Sequence, residues 1–375
     1  MSIRPDRVFS SRLDWNAQTN RLSALRGSKQ QVLDLTESNP TRARIEYPGQ
    51  QILSALHDAR ALRYDPEPRG LLSAREAVAK YYGNVTASRI LLTASTSEAY
   101  AYLFKLLCDP GDEILSPRPS YPLFEFLAGL ESVRAVQYPL RYDGVWHIDF
   151  QALERAITPR TRAIVVVNPN NPTGSFLKRE ERRRLERFGI PLLSDEVFSD
   201  YALFPDDSRV TSLTMETETL TFSMSGLSKI AGLPQMKLGW IVASGPGHDA
   251  ALDRLELIAD TYLSVATPVQ IALPKLLEAS VAVRAEITKR TRANLALLKS
   301  FAHPMHVEGG WYATLQVPRT KSEEEWAIHL LDRRDVLVQP GFYFDFESEA
   351  FLVLSLLTPP DVFAEGLRRV LDEVL

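Results

Sequence analysis

Short, strongly apolar runs recur through the middle of the chain at spacings that suit a sheet covered on both faces. "RILLTAS" (89–95), "DEILSPR" (112–118), "RAIVVVNP" (162–169), "IPLLSDEVF" (190–198), "TLTFSMS" (219–225) and "LGWIVAS" (238–244) each read as a strand. A strand with one wet face alternates apolar and polar residues; apart from "TLTFSMS" these runs do not, so a sheet buried on both faces is expected. Between them lie polar and glycine-bearing turns, or helical patterns such as "SEAYAYLFKLLCD". The expected class is α/β, with a mostly parallel central sheet and helices on both faces. In such sheets ligands bind at the carboxyl ends of the strands.

The outer parts of the chain follow a different pattern. From about residue 256 it is helical, and it then ends in "GGWYATLQVP", "DVLVQPG", "FLVLSLL" and a last amphipathic helix. This predicts a smaller α+β domain, built from both termini. At 375 residues the chain exceeds the size at which one core usually stops growing, so two domains are expected: 46–255, and 1–45 joined with 256–375. A formal net charge of -4 and a pI near 6.0 give no general attraction to nucleic acid or anionic lipid, which favours small-molecule chemistry. The single cysteine, Cys108, excludes an internal disulfide and, at the end of an apolar helix, reads as packing. "MSIRPDRVFSSRLDW" lacks the apolar core of a signal peptide, and nowhere do about 18 uncharged apolar residues run together, so a cytoplasmic protein is expected.

Residues suited to chemistry fall at the expected strand ends. "LLTASTSEAY" carries a strand through Ser95, Thr96 and Ser97 into a helix. Backbone N–H groups there, with hydroxyls beside them, bind phosphate, and the same residues equally make an ordinary cap. "VVVNPNNPTGS" fixes the backbone with two prolines and leaves Asn171 an amide to offer. Asp195 in "LLSDEVF" ends an apolar strand, where a carboxylate is costly without a cation or a hydrogen-bond donor. Lys229 in "SGLSKIAGLPQMKLGW" lies among small and apolar residues, and desolvation lowers an amine's pKa and frees its lone pair for attack. Each has a plain alternative: a cap, a turn, an ion pair, a surface lysine. Their order along one chain, with Tyr121 of "SPRPSYPLF" between the first two, is poorly explained by chance.

That ordered set resembles the fold-type I aminotransferases, the aspartate/alanine aminotransferase family that uses pyridoxal 5'-phosphate (PLP). The resemblance runs from "LTESNPT" through "YDPEPRGLLSAREAVA" to the last helix. It implies a catalytic set of Lys229 as the Schiff-base lysine, Asp195 paired with the pyridinium nitrogen, and Asn171 bonded to the ring's phenolic oxygen. It further implies that Tyr121 stacks on the ring and that Thr96, Ser97 and Lys237, with Ser225 or Ser228, hold the phosphate. Tyr64 resembles the tyrosine that reaches the phosphate of the neighbouring subunit, so a homodimer is implied. The activity implied is transamination between an amino acid and a 2-oxo acid, within amino acid metabolism and without a metal. The same fold and cofactor also serve carbon–sulfur β-lyases and amine oxidases, and a PLP-binding protein without turnover is a third reading.

Four positions depart from the family pattern. Lys237 stands where an arginine usually binds phosphate, keeping the charge and losing the bidentate fork. Phe198 replaces a tyrosine that commonly donates to the phenolic oxygen, and Gly226 replaces a serine. Val353 in "FLVLSLL" takes the place of the arginine that clamps the substrate carboxylate. Either another cation, such as Arg42, Arg44, Arg69 or Arg118, serves instead, or the substrate lacks that contact. "GGWYATLQV" puts Trp311 or Tyr312 near substrate or in the core, "KREERRRLERFG" (178–189) reads as a solvated helix face, and "HPMH" (303–306) reads as a surface turn.

Overall fold

The computed structural model describes residues 9–13, 20–214 and 217–374. The expectations for residues 1–8 and 14–19, which belong to the N-terminal segment assigned to the smaller domain, lie outside the described residues. All six expected strands form. After β1 (Leu33–Asp34) come β2 (Ile90–Thr93), β3 (Glu113–Arg118), β4 (Arg134–Tyr142), β5 (Trp146–Ile148), β6 (Thr161–Val167), β7 (Leu192–Asp195), β8 (Thr221–Gly226) and β9 (Gly239–Ser244). The last eight make one sheet in the order β2-β9-β8-β7-β6-β3-β4-β5. The β4–β3–β6–β7–β8 pairings are parallel, whereas β9 lies antiparallel to both β8 and β2, and β5 antiparallel to β4. Because β9 reverses between two partners, the carboxyl ends of β2, β6, β7 and β8 all open on the same side, with the amino end of β9 among them.

Side chains alternate between two dry faces. Leu91, Leu193, Phe222 and Ile241 pack with the helices Thr96–Leu107 and His248–Tyr262, while Ile90, Leu92, Trp240 and Val242 pack with Leu72–Tyr82 and the start of Thr267–Phe301. Each such side chain contributes roughly 1.5–3 kcal/mol by leaving water; β8 differs in burying Thr221, Ser223 and Ser225 between its apolar residues. β4 and β5 were not legible as strands: β4 has a half-exposed start and Pro139 within it, and β5 closes the sheet edge in three residues.

A second layer of structure follows the long helix. β10 (Tyr312–Gln316), β12 (Gln339–Pro340) and β13 (Phe351–Ser355) form an antiparallel sheet, and β11 (Val336–Leu337) pairs parallel with β1. Through Leu33↔Val336 and Asp34↔Leu337, the described part of the N-terminal segment is tied to the C-terminal part of the chain. The helix Glu323–Arg334 begins with a capping box, in which Ser322 Oγ accepts from the Glu325 N–H at 3.2 Å and Glu325 returns to the Ser322 N–H at 2.8 Å. The 35-residue helix Thr267–Phe301 packs against Leu72–Tyr82 at one end and against the last helix, Pro360–Val374, at the other. Among the described residues no helix is long and apolar enough to cross a membrane.

The charged stretch at 178–189 forms the helix Arg179–Glu186, with ion pairs Arg182–Glu186 at 2.9 Å and Arg183–Glu180 at 3.2 Å. Cys108 is half-buried, and burial pushes its thiol up to about 12, as suits a packing residue. Leu193 lies in the middle of the central sheet with no exposed surface. Leu193→Ala is expected to cost roughly 2–5 kcal/mol of stability, read as a lower midpoint in urea unfolding followed by circular dichroism.

Candidate active site

At the carboxyl side of the sheet the strand ends surround a cavity of about 330 Å³. Its wall includes Thr96, Ser97, Tyr121, Asn171, Asp195, Phe198, Ser228, Lys229 and Lys237, so most of the residues singled out from the sequence meet in one place. The chemistry of each is set by the element that carries it.

Asp195 is the last residue of β7, in register between Val167 and Met224. Its Oδ2 accepts a hydrogen bond from the Tyr100 hydroxyl at 3.2 Å and its Oδ1 accepts from the Val197 N–H at 3.3 Å. Burial pushes the carboxyl up to about 6, against the pull of those two donors and of the Lys229 charge. Lys229 lies on the short helix Leu227–Ile230, which follows β8, and the Tyr201 hydroxyl anchors its backbone by donating to the Lys229 carbonyl at 2.6 Å. The amine Nζ sits 5.2 Å from the ring centroid of Trp311 and 5.7 Å from that of Phe198. Burial lowers its pKa, and Asp195 acts in the opposite direction.

The "NPNNPTG" turn divides its asparagines between structure and site. Asn168 donates to the Val210 carbonyl at 2.7 Å and accepts from the Leu177 N–H at 2.9 Å, and Asn170 donates to the Pro119 carbonyl at 3.0 Å. Asn171 instead lines the cavity, with its buried Oδ1 unpartnered. Gly174 closes the turn at φ +71°, where a Cβ would come within 2.6 Å of the Gly309 carbonyl oxygen. The turn therefore needs glycine for its backbone angle and for its contact with the segment before β10.

The Ser95–Ser97 stretch divides in the same way. Ser95 is the cap, its Oγ accepting from the Glu98 N–H at 3.2 Å, while Thr96 and Ser97 begin the twelve-residue helix Thr96–Leu107 and line the cavity. Lys237, at the left-handed end (φ +49°) of the turn Pro234–Met236, also lines the cavity. A helix N-terminus, two hydroxyls and an ammonium together suit an anionic group.

Some expected members stand apart. Ser225 does not line the cavity; it is buried, with its Oγ donating to the Glu196 carbonyl at 3.4 Å, and of the two serines Ser228 faces the space. Gly226 has a steric reason: a Cβ would lie 2.8 Å from both the Gly239 Cα and the Leu238 carbonyl oxygen. Tyr64 is 79% exposed and lies outside this cavity, beside a shallow hollow bordered by Pro66 and Tyr102. Val353 is fully buried in an apolar cluster with Trp311 and Phe344. None of Arg42, Arg44, Arg69 and Arg118 lines the cavity: Arg44 pairs with Asp361, Arg69 with Asp253 and Glu256, and Arg118 with Glu347. Among the described residues its cationic lining is Lys229 and Lys237.

The sequence reading missed Tyr100 and Ser38 and left Tyr312 open. Tyr312 lines the cavity while Trp311 is fully buried, so each of the two readings holds for one of the pair. Tyr100 did carry a signal, standing four residues after Thr96 and hence one turn along the same helix face. Together these groups can receive an elongated ligand, anionic at the helix end and cationic beside Asp195, with an amine able to act as nucleophile and base between them.

Asp195 makes the ligand-free protein sensitive to pH in a definite direction. Its folded pKa, about 6, lies above the ordinary carboxyl value of 3.8, so it weakens the fold as pH rises from about 4 to about 6. Without ligand, Asp195→Asn is expected to raise stability at pH 7, by on the order of 1–3 kcal/mol, and to leave it unchanged near pH 3. Urea midpoints at the two pH values check this.

The comparisons with known proteins agree with this geometry. Residues 30–369 match the family model described as aminotransferase class I and II. Glutamate-pyruvate aminotransferase AlaA of Escherichia coli (strain K12) is 30% identical over 253 residues, 64% of this chain; the match spans 62% of that relative, under two thirds of its length. Tyrosine aminotransferase of Mus musculus is 29% identical over 334 residues, covering 80% of this chain and 71% of the relative. The solved alanine aminotransferase from Pyrococcus furiosus superposes with a TM-score of 0.82 at 23% identity, over 94% of each chain, and so shares the fold. With its family model extending over nearly the whole sequence, the chain belongs to the class I and II aminotransferases.

Proposed function

We propose that this protein is a PLP-dependent aminotransferase that moves an amino group between an amino acid and a 2-oxo acid. Members of the family use PLP. The observation that carries the reading is one cavity lined by a desolvated amine, Lys229, a carboxylate whose pKa burial has raised, Asp195, and an amide with an unpartnered oxygen, Asn171. These residues fit the cofactor: a cationic ring nitrogen relieves the buried carboxylate, and a phosphate suits the N-terminus carrying Thr96 and Ser97 with Lys237 opposite.

When bound, PLP supplies an aldehyde that links to amines and a ring that withdraws electrons from the bond being broken. The side chains do the rest. Lys229, whose ammonium form burial disfavours, would be the nucleophile, and its Nζ would take the proton from the substrate Cα and give it up again. Asp195, ionised, would pair with the ring nitrogen and favour its protonated form. The Asn171 amide N–H would donate to the ring oxygen, and Tyr121 would stack on the ring. Ser228, Thr96 and Ser97 would hold the phosphate together with Lys237, whose single ammonium stands in for the usual guanidinium fork. Ser225 does not belong to this set, because it is buried with its hydroxyl turned to the Glu196 carbonyl.

The supporting frame is part of the proposal. It divides the chain into a large PLP-binding domain, 46–255, and a smaller domain of 1–45 with 256–375. It makes the protein a cytoplasmic homodimer in amino acid metabolism, with Tyr64 reaching the neighbouring active site; the exposure of that aromatic residue, outside its own cavity, supports the assignment. A second reading is favoured by Val353 alone. With an aliphatic residue at the position of the usual carboxylate clamp, a carbon–sulfur β-lyase or amine oxidase on the same fold is the alternative.

Mixing the PLP-loaded protein with single amino acids, without an acceptor, separates the two readings. Conversion of the cofactor to its amino form with an equal amount of 2-oxo acid supports transamination, and continuing release of ammonia or thiol from an unchanged cofactor supports the alternative. Lys229→Ala is expected to abolish both the visible band of the bound cofactor and turnover. Phe198→Tyr adds a donor beside the ring oxygen and is expected to move the pH midpoint of the cofactor's colour change downward, as measured by spectroscopic titration.

A further inference from the structure

One contact in the cavity belongs to none of the roles above. Tyr100 stands one turn into the helix Thr96–Leu107, and its hydroxyl donates to Asp195 Oδ2 at 3.2 Å. Its ring is held on two sides, 5.5 Å from Phe124 in an edge-on contact and 5.8 Å from Phe104, and only 3% of the residue is exposed. The hydroxyl is therefore pointed at the carboxylate by packing. We propose that Tyr100 is a positioning residue that holds the Asp195 carboxylate ionised and aimed at the cationic ring of the cofactor. The inference rests on the PLP reading of this cavity.

Several groups face Asp195, and Tyr100 differs from the others in what it can do. Lys229 faces it from the helix after β8, Tyr121 from the segment after β3, and the Val197 N–H from its own loop. Glu196, next in the chain, turns away and accepts from Ser194, Ser212 and the Leu213 N–H. Lys229 is consumed as nucleophile and base, so its charge is not constantly available to the carboxylate. Tyr100 takes no part in that chemistry and remains a donor throughout. It also shares a helix with Thr96 and Ser97, four and three residues away and hence about 6 and about 4.5 Å along the axis. A single rigid helix thus fixes the anion-binding end of the cavity and the partner of its cation-binding end.

The test is cofactor binding as a function of pH, read by equilibrium titration of PLP into apo-protein. Loss of the hydroxyl removes a hydrogen bond that favours the charged carboxylate, so the Asp195 pKa rises. In Tyr100→Phe the affinity for PLP at pH 7.5 is expected to fall about tenfold, and the pH below which affinity collapses is expected to move upward. Asp195→Asn supplies the control: with no carboxylate to ionise, adding Tyr100→Phe should shift neither quantity further. An upward shift confined to the Asp195 background supports the proposal. Wild-type affinity and an unmoved acid limb in Tyr100→Phe overturn it, as does an equal loss in the Asp195→Asn background, which would make the residue merely structural. Failure of the wild-type protein to bind PLP overturns the underlying PLP reading as well, and is distinguished by appearing before any substitution.

Discussion

The cavity depends on a carboxylate kept where water would stabilise it better. Asp195 ends a strand whose neighbours on both sides are apolar, and among the described residues its compensation is two modest hydrogen bonds and the charge of Lys229. The same desolvation acts with opposite sign on the two groups, lifting the acid's pKa and lowering the amine's. Each is thereby moved toward neutrality in the absence of ligand. A ligand that brings its own cation to the carboxylate and an electrophile to the amine meets both needs together.

The sheet topology makes that concentration of chemistry possible. Reversal of β9 between β2 and β8 brings the loop before Gly239 to the same rim as the ends of β6, β7 and β8. Lys237 and Lys229 therefore approach the cavity from opposite ends of one turn between antiparallel neighbours. The long helix Thr267–Phe301 then carries the chain across to the second sheet, whose Tyr312 completes the wall. The Gly174–Gly309 approach holds the two parts in contact beside the asparagine turn.

Much of this was legible in the sequence because burial on both faces leaves a strong mark. Most of the six central strands are predominantly apolar, β8 with its alternating Thr221, Ser223 and Ser225 being the exception, and Asp195, Asn171 and Lys229 stand at or just beyond strand ends. β4 and β5 left no such mark, being half-exposed and near an edge. The division of labour within motifs was not legible either. Ser95 and Thr96 are neighbours with different tasks, as are Ser225 and Ser228, because direction across a strand or around a helix cap is decided by register. Tyr100 was hidden because an aromatic residue in an apolar helix reads as core, which it also is.

Gly226 and Gly239 face one another across β8 and β9 with no room for a side chain on the first of them. The effect reaches beyond stability, into which descendants of this sequence are accessible. At the anion-binding rim, a hydroxyl cannot be acquired at 226 by one codon change without pushing two backbones apart. Adaptation at that end must instead travel through Thr96, Ser97, Ser228 and Lys237, whose side chains already border open space. A randomised library for this protein would therefore spend its diversity at those four positions and hold the glycine pair constant.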